Sequence, residues 1–131
     1  MNHDRIAIVI DDDKDTREVI SELLELNKIQ VVGNGNDGKE AVTLYQKLRP
    51  KFVFLDVMMP NYDGLYALEQ IKKIDSEAKI IMITGDITEE TREKVNMLNA
   101  DAVFYKPVEI GKLVEYVDRL CNSRNITQSY T

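Results

Sequence analysis

Side chains able to do chemistry stand at four places in this chain: the acids Asp11, Asp12 and Asp13, the acid Asp56, the hydroxyl of Thr84 and the ammonium of Lys106. Each follows an apolar run. Ile6-Ala7-Ile8-Val9-Ile10 ends on Asp11, and Phe52-Val53-Phe54-Leu55 ends on Asp56. Ile80 to Ile83 ends on Thr84, and Ala102-Val103-Phe104-Tyr105 ends on Lys106. Unbroken runs of this length suit strands buried on both faces, as in a parallel sheet. An unpaired carboxylate is costly to bury, so Asp56 is expected where its strand emerges, facing water, a cation or a partner. Pro60 soon after forbids continuing that strand.

If the strands run parallel, all four groups share one edge of the sheet, where open α/β folds bind their ligands. Three clustered acids repel one another, and a divalent cation removes the conflict. Carboxylate oxygens and waters suit Mg²⁺, which keeps open positions for phosphate oxygens. Lys106 offers a compact cation for a phosphoryl group, and Thr84 offers a hydrogen bond. Asp56, between them, is placed to act as a nucleophile and form an aspartyl phosphate.

The intervening segments must position these groups. Val19, Ile20, Leu23 and Leu24 fall on one face of a helix that closes at Asn27-Lys28, and Ile29 to Val32 reads as a short strand. Gly33-Asn34-Gly35-Asn36-Asp37-Gly38 reads as a loop, with Asp37 and Glu40 as a capping box for the next helix. That helix carries the stripe Ala41, Leu44, Tyr45 and Leu48. Asp63 and Thr88 are predicted caps of two further helices. Leu65, Leu68, Ile71 and Ile74 face the core from the first, and Val95 and Leu98 from the second. A last helix, from Glu109 to Cys121, buries Ile110, Leu113, Val114, Val117 and Leu120. Residues 122–131 read as a polar, frayed tail, so residues 1–121 make one domain. The order is (βα)5: a doubly wound, five-stranded parallel sheet, for which the flavodoxin-like order 2-1-3-4-5 is expected.

Bulk properties agree with one such domain. The chain has 131 residues, 44% hydrophobic and 31% charged. Its formal net charge of −6 argues against direct nucleic-acid binding. One cysteine excludes an internal disulfide and suits a reducing compartment. Cys121 continues an apolar stripe and reads as core. No apolar run approaches membrane-spanning length and no secretion signal opens the chain, so a cytoplasmic protein without membrane contact is expected. The single histidine, His3, excludes a multi-histidine metal site.

The motifs together resemble a response-regulator receiver domain, the phosphoacceptor half of two-component signalling. They are Val9-Ile10-Asp11-Asp12-Asp13 with Arg17, Leu55-Asp56-Val57-Met58-Met59-Pro60 with Asp63-Gly64, Ile83-Thr84-Gly85, and Tyr105-Lys106-Pro107-Val108. The resemblance runs from Arg5 to about Leu120. It implies that Asp56 accepts a phosphoryl group from a phosphohistidine on a sensor histidine kinase or a histidine phosphotransfer protein. Thr84 and Lys106 would respond to that group, and Asp11, Asp12, Asp56 and the Met58 backbone carbonyl would hold Mg²⁺. The Lys106–Pro107 peptide bond would be cis. The readout would be the face made by helix 4, strand 5 and helix 5, acting on a downstream protein or output domain. The protein would be a signalling phosphoacceptor, not an enzyme with a separate substrate. It would act alone or as one piece of a larger regulator. Many receivers carry a switch aromatic where this chain has Val103, with Phe104 and Tyr105 following. Met58 and Asp86 stand where the family controls water's access to the acyl phosphate.

Other readings compete. Gly33, Gly35 and Gly38 spell G-x-G-x-x-G between a strand and a helix, the outline of a dinucleotide site. A metal-dependent phosphatase with Asp56 as nucleophile would want a second acid two residues on, where Met58 stands. A pure interaction module would leave all the acids as solvated charge.

Overall fold

The computed structural model describes residues 5–86 and 88–126, with side chains described through Cys121. Five strands alternate with five helices: β1 (Ile6–Ile10), α1 (Lys14–Leu26), β2 (Gln30–Gly35), α2 (Gly38–Leu48), β3 (Phe52–Leu55), α3 (Gly64–Ile74), β4 (Lys79–Thr84), α4 (Glu89–Met97), β5 (Ala102–Tyr105) and α5 (Ile110–Ile126). The sheet is parallel throughout, in the order β2-β1-β3-β4-β5. This is the expected fold.

Each central strand is buried on both faces because a helical layer covers each side. Alternate residues sort into two cores. Ile8, Ile10, Val53, Leu55, Ile80 and Met82 pack against α2, α3 and Val95 of α4. Ala7, Val9, Phe52, Phe54, Ile81 and Ile83 pack against α1 and α5. Full burial of Phe52 and Phe54 contributes about 2–3 kcal/mol each.

Helix starts follow the predicted chemistry. The Asp37, Asp63 and Thr88 side chains accept the amides of Glu40, Tyr66 and Thr91. Glu40 reaches one residue past the cap, accepting the Asn36 amide rather than the Asp37 amide that a capping box would use.

Four expectations change. Val19 is 53% exposed, because α1 reaches the sheet through Ile20 and Leu24 alone, and Leu23 is only partly covered. Leu48, in the last turn of α2, is 39% exposed. Gly33 to Gly35 belong to β2, paired with Ile8 to Ile10, rather than to a loop. Helix α5 continues to Ile126, past its expected end at Cys121. His3 and residues 127–131 lie outside the described residues.

Candidate functional site at the carboxyl edge of the sheet

Asp11 follows β1 directly and Asp56 follows β3 directly. The two strands are neighbours in register, Ile10 beside Leu55, so both carboxylates reach the edge at one level. The Asp56 amide donates to the Ile10 carbonyl at 3.0 Å, carrying the pairing one step past the strands. Asp56 is only 5% exposed and Asp11 only 2%. Asp56 therefore faces a cation rather than open water. Oxygens of Asp11, Asp12 and Asp56 lie within 4.8 Å of one another, with Asp12 on the solvent side.

Lys106 enters from the end of β5. Its Nζ donates to Asp11 Oδ2 at 2.8 Å and stands 3.5 Å from Asp56 Oδ2. The Lys106–Pro107 peptide bond is cis. Burial opposes the lysine's charge, but its hydrogen bond to Asp11 and the charges of Asp56 and Asp11 outweigh that, and its pKa lies above the ordinary value. Burial dominates at Asp56 and pushes its pKa up to about 6. Lys106 and a backbone bond from Met58 hold it down, while the Asp11 charge pushes it further up.

Thr84, at the end of β4, is buried at the same edge. Its hydroxyl oxygen accepts the Asp86 amide at 3.0 Å. Met58 projects its side chain into solvent. Val103 packs into the core layer of α2 to α4 and Phe104 into the opposite layer, against Tyr116. Tyr105 shares the parity of Val103 but is 40% exposed.

The structural roles of several motif residues were not legible in the sequence. Asp13 caps α1, accepting the amide and the hydroxyl of Thr16, and those bonds lower its pKa. A position just before an apolar helix could have revealed it. Arg17 donates to the Asp11 backbone carbonyl at 2.7 Å and so steadies the end of β1. Gly64 is forced by close approach: a Cβ there would lie 2.0 Å from the Asp56 carbonyl oxygen. Its amide donates to the Val57 carbonyl, closing the loop after Asp56. A Cβ on Gly38 would lie 2.4 Å from the Asp63 carbonyl oxygen, and the Gly38 amide donates to Tyr62 of the same loop. Cβ atoms on Gly33 and Gly35 would meet Leu48, Leu44, Glu40 and Ile10. The G-x-G-x-x-G residues thus serve strand–helix and helix–loop packing, and the amides of Asn36, Gly38 and Glu40 already donate to the Glu40 carboxylate, the Tyr62 carbonyl and the Asp37 carboxylate.

The fold and site define a doubly wound α/β domain with an oxygen-rich acidic cluster and one lysine at its carboxyl edge. The family model for the response regulator receiver domain matches residues 7–118, and the chain belongs to that family of two-component and chemotaxis signalling domains. Protein CcdB of Bacillus subtilis (strain 168) is similar at 37% identity over 114 residues, 87% of this chain and 95% of that protein. Chemotaxis protein CheY of the same strain is 30% identical over 115 residues, covering 88% of this chain and 96% of CheY. Among solved structures, the CheX-CheY-BeF3-Mg+2 complex from Borrelia burgdorferi gives a TM-score of 0.82 at 25% identity, over 88% of this chain and 87% of that one.

Proposed function

We propose that this receiver domain takes a phosphoryl group onto Asp56 from a phosphohistidine of a sensor kinase or phosphotransfer protein, with Mg²⁺ as cofactor. The observation that carries the reading is the placement of Asp56, with Lys106 Nζ 3.5 Å away and oxygens of Asp11 and Asp12 within 4.8 Å. The donor set fits a hard divalent cation, because it is all oxygen and carries more negative charge than one lysine balances. Asp11, Asp12, Asp56 and the Met58 carbonyl would hold the ion, which supplies positive charge to phosphoryl oxygens.

In the transfer, a carboxylate oxygen of Asp56 bonds to phosphorus as the bond from phosphorus to the donor imidazole nitrogen breaks. The electron pair leaves with the imidazole. Lys106 turns from Asp11 toward the phosphoryl oxygens, and the Thr84 hydroxyl donates to one of them. Reversal of the signal is hydrolysis of the acyl phosphate, so the domain is its own substrate rather than an enzyme for another molecule. The surface of α4, β5 and α5 then shifts between two packings and binds a downstream protein or an output domain. The added phosphate moves that balance only by its differential interaction with the two packings. We place the protein in the cytoplasm. Among the described residues no helix is long and apolar enough to cross a membrane.

Mass spectrometry after incubation with Mg²⁺ and a small-molecule phosphodonor tests the assignment. One phosphate on Asp56 is expected, absent in Asp56→Asn. Full labelling of Asp56→Asn at another residue would overturn it.

A further inference from the structure

We propose that Asp86 is a positioning residue that couples Thr84 to helix α4 through Thr91. This relay rests on the reading of Asp56 as phosphoacceptor and names the route by which that site is read out.

The family resemblance put Asp86 near the phosphorylation site, at a position that influences water's access. In the structure its carboxylate is bonded to the first turn of α4. Oδ1 accepts the Thr88 amide at 2.9 Å and Oδ2 accepts the Thr91 hydroxyl at 2.7 Å. The Asp86 amide meanwhile donates to Thr84 Oγ1 at 3.0 Å. Thr88 is the N-cap of α4 and receives the Thr91 amide. One residue therefore holds the buried hydroxyl at the site with its backbone and two donors of α4's first turn with its side chain. These bonds also lower the Asp86 pKa, keeping the acceptor ionised.

The consequence is mechanical. Thr84 can accept the Asp86 amide and still donate its own proton to an oxygen on Asp56. If its side chain turns toward that oxygen, the Asp86 amide must follow or a partly buried hydrogen bond is lost. Movement of Asp86 draws on Thr88 and Thr91 together. Helix α4 is the element best able to respond, because Val95 is its one fully buried residue, against four in α3. Val103 supplies no ring to swing into a space left by Thr84, and its branched Cβ restricts rotation. The hydrogen-bonded chain is the coupling that this sequence retains.

The test compares wild type, Thr91→Val and Thr91→Ser with Mg²⁺ and beryllofluoride, a phosphoryl mimic. Mass spectrometry of the non-covalent complex reports the adduct. Amide hydrogen exchange reports residues 88–93. Wild type is expected to form the adduct and change its exchange in this turn. Thr91→Val, which keeps shape and loses the hydroxyl, is expected to form the adduct and lose that adduct-dependent change. Thr91→Ser is expected to restore it. A wild-type response retained in Thr91→Val, or absent from Thr91→Ser, would overturn the relay. An adduct without any response in wild type removes the relay and leaves the phosphoacceptor standing. No adduct in wild type brings down both.

Discussion

Lys106 Nζ lies 2.8 Å from Asp11 Oδ2, across 95 residues of sequence. This ion pair makes the acidic cluster tolerable without a metal, because Asp11 is almost wholly buried and would otherwise face Asp56 unscreened. The same ammonium competes with a divalent ion for the Asp11 and Asp56 oxygens. Replacing Lys106 with Met is therefore expected to destabilise the metal-free protein by about 2–3 kcal/mol, since removing one partner leaves a buried charge exposed to its like. Mg²⁺ is expected to recover more stability in this variant than in wild type. Urea unfolding with EDTA and with Mg²⁺ measures both effects, and equal Mg²⁺ gains in the two proteins would refute the competition.

The raised pKa of Asp56, about 6, fixes the sign of a pH effect. The folded protein binds the proton more tightly than the unfolded chain, whose carboxyl keeps its ordinary value of 3.8. Folding therefore gains from Asp56 protonation below pH 4 and loses that gain as pH rises toward 6. In EDTA, Asp56→Asn is expected to abolish this fall and to be more stable than wild type at pH 7 by about 1–3 kcal/mol. Thermal melts between pH 4 and 7 decide it; parallel curves for the two proteins would assign the titration elsewhere.

Asp12 contributes to the cluster from its exposed side. Asp12→Ala is expected to weaken Mg²⁺ binding about tenfold or more, while leaving the metal-free protein as stable as wild type or slightly more so, because one repelling charge is gone. Isothermal calorimetry gives the affinity. Unchanged binding would remove Asp12 from the site.

Gly38 separates the packing role of the glycines from nucleotide binding. A methyl group there cannot fit 2.4 Å from the Asp63 carbonyl oxygen, so Gly38→Ala is expected to push the loop after Asp56 aside. Stability falls by about 1–3 kcal/mol, and Mg²⁺ binding weakens with it. NAD and NADH are expected to give no heat with the wild-type protein. Binding of either, lost in Gly35→Val, would revive the dinucleotide reading.

Local pattern determined much of this protein. Apolar runs at Ile6–Ile10 and Phe52–Leu55 must be covered on both faces, so strands, helical layers and their parallel order follow from composition at each segment. Side chains that cap a helix do so within three residues, which is why Asp37, Asp63 and Thr88 were legible. The acids, Thr84 and Lys106 stand at strand ends by sequence alone. Tertiary structure decided what those groups touch. Pairing of β1 with β2 drew Gly33 to Gly35 into a strand that composition assigned to a loop, because backbone hydrogen bonds from a neighbour outweigh weak local preference. Val19 lies outside the core although its spacing suits burial, since contact with the sheet follows where α1 lies, not how often apolar residues recur. The need for no Cβ at Gly38 and Gly64 arises from backbone of another segment at each position. The bond from Lys106 to Asp11 joins the ends of β5 and β1, which come together only when the sheet assembles, and such a distance has no local signature.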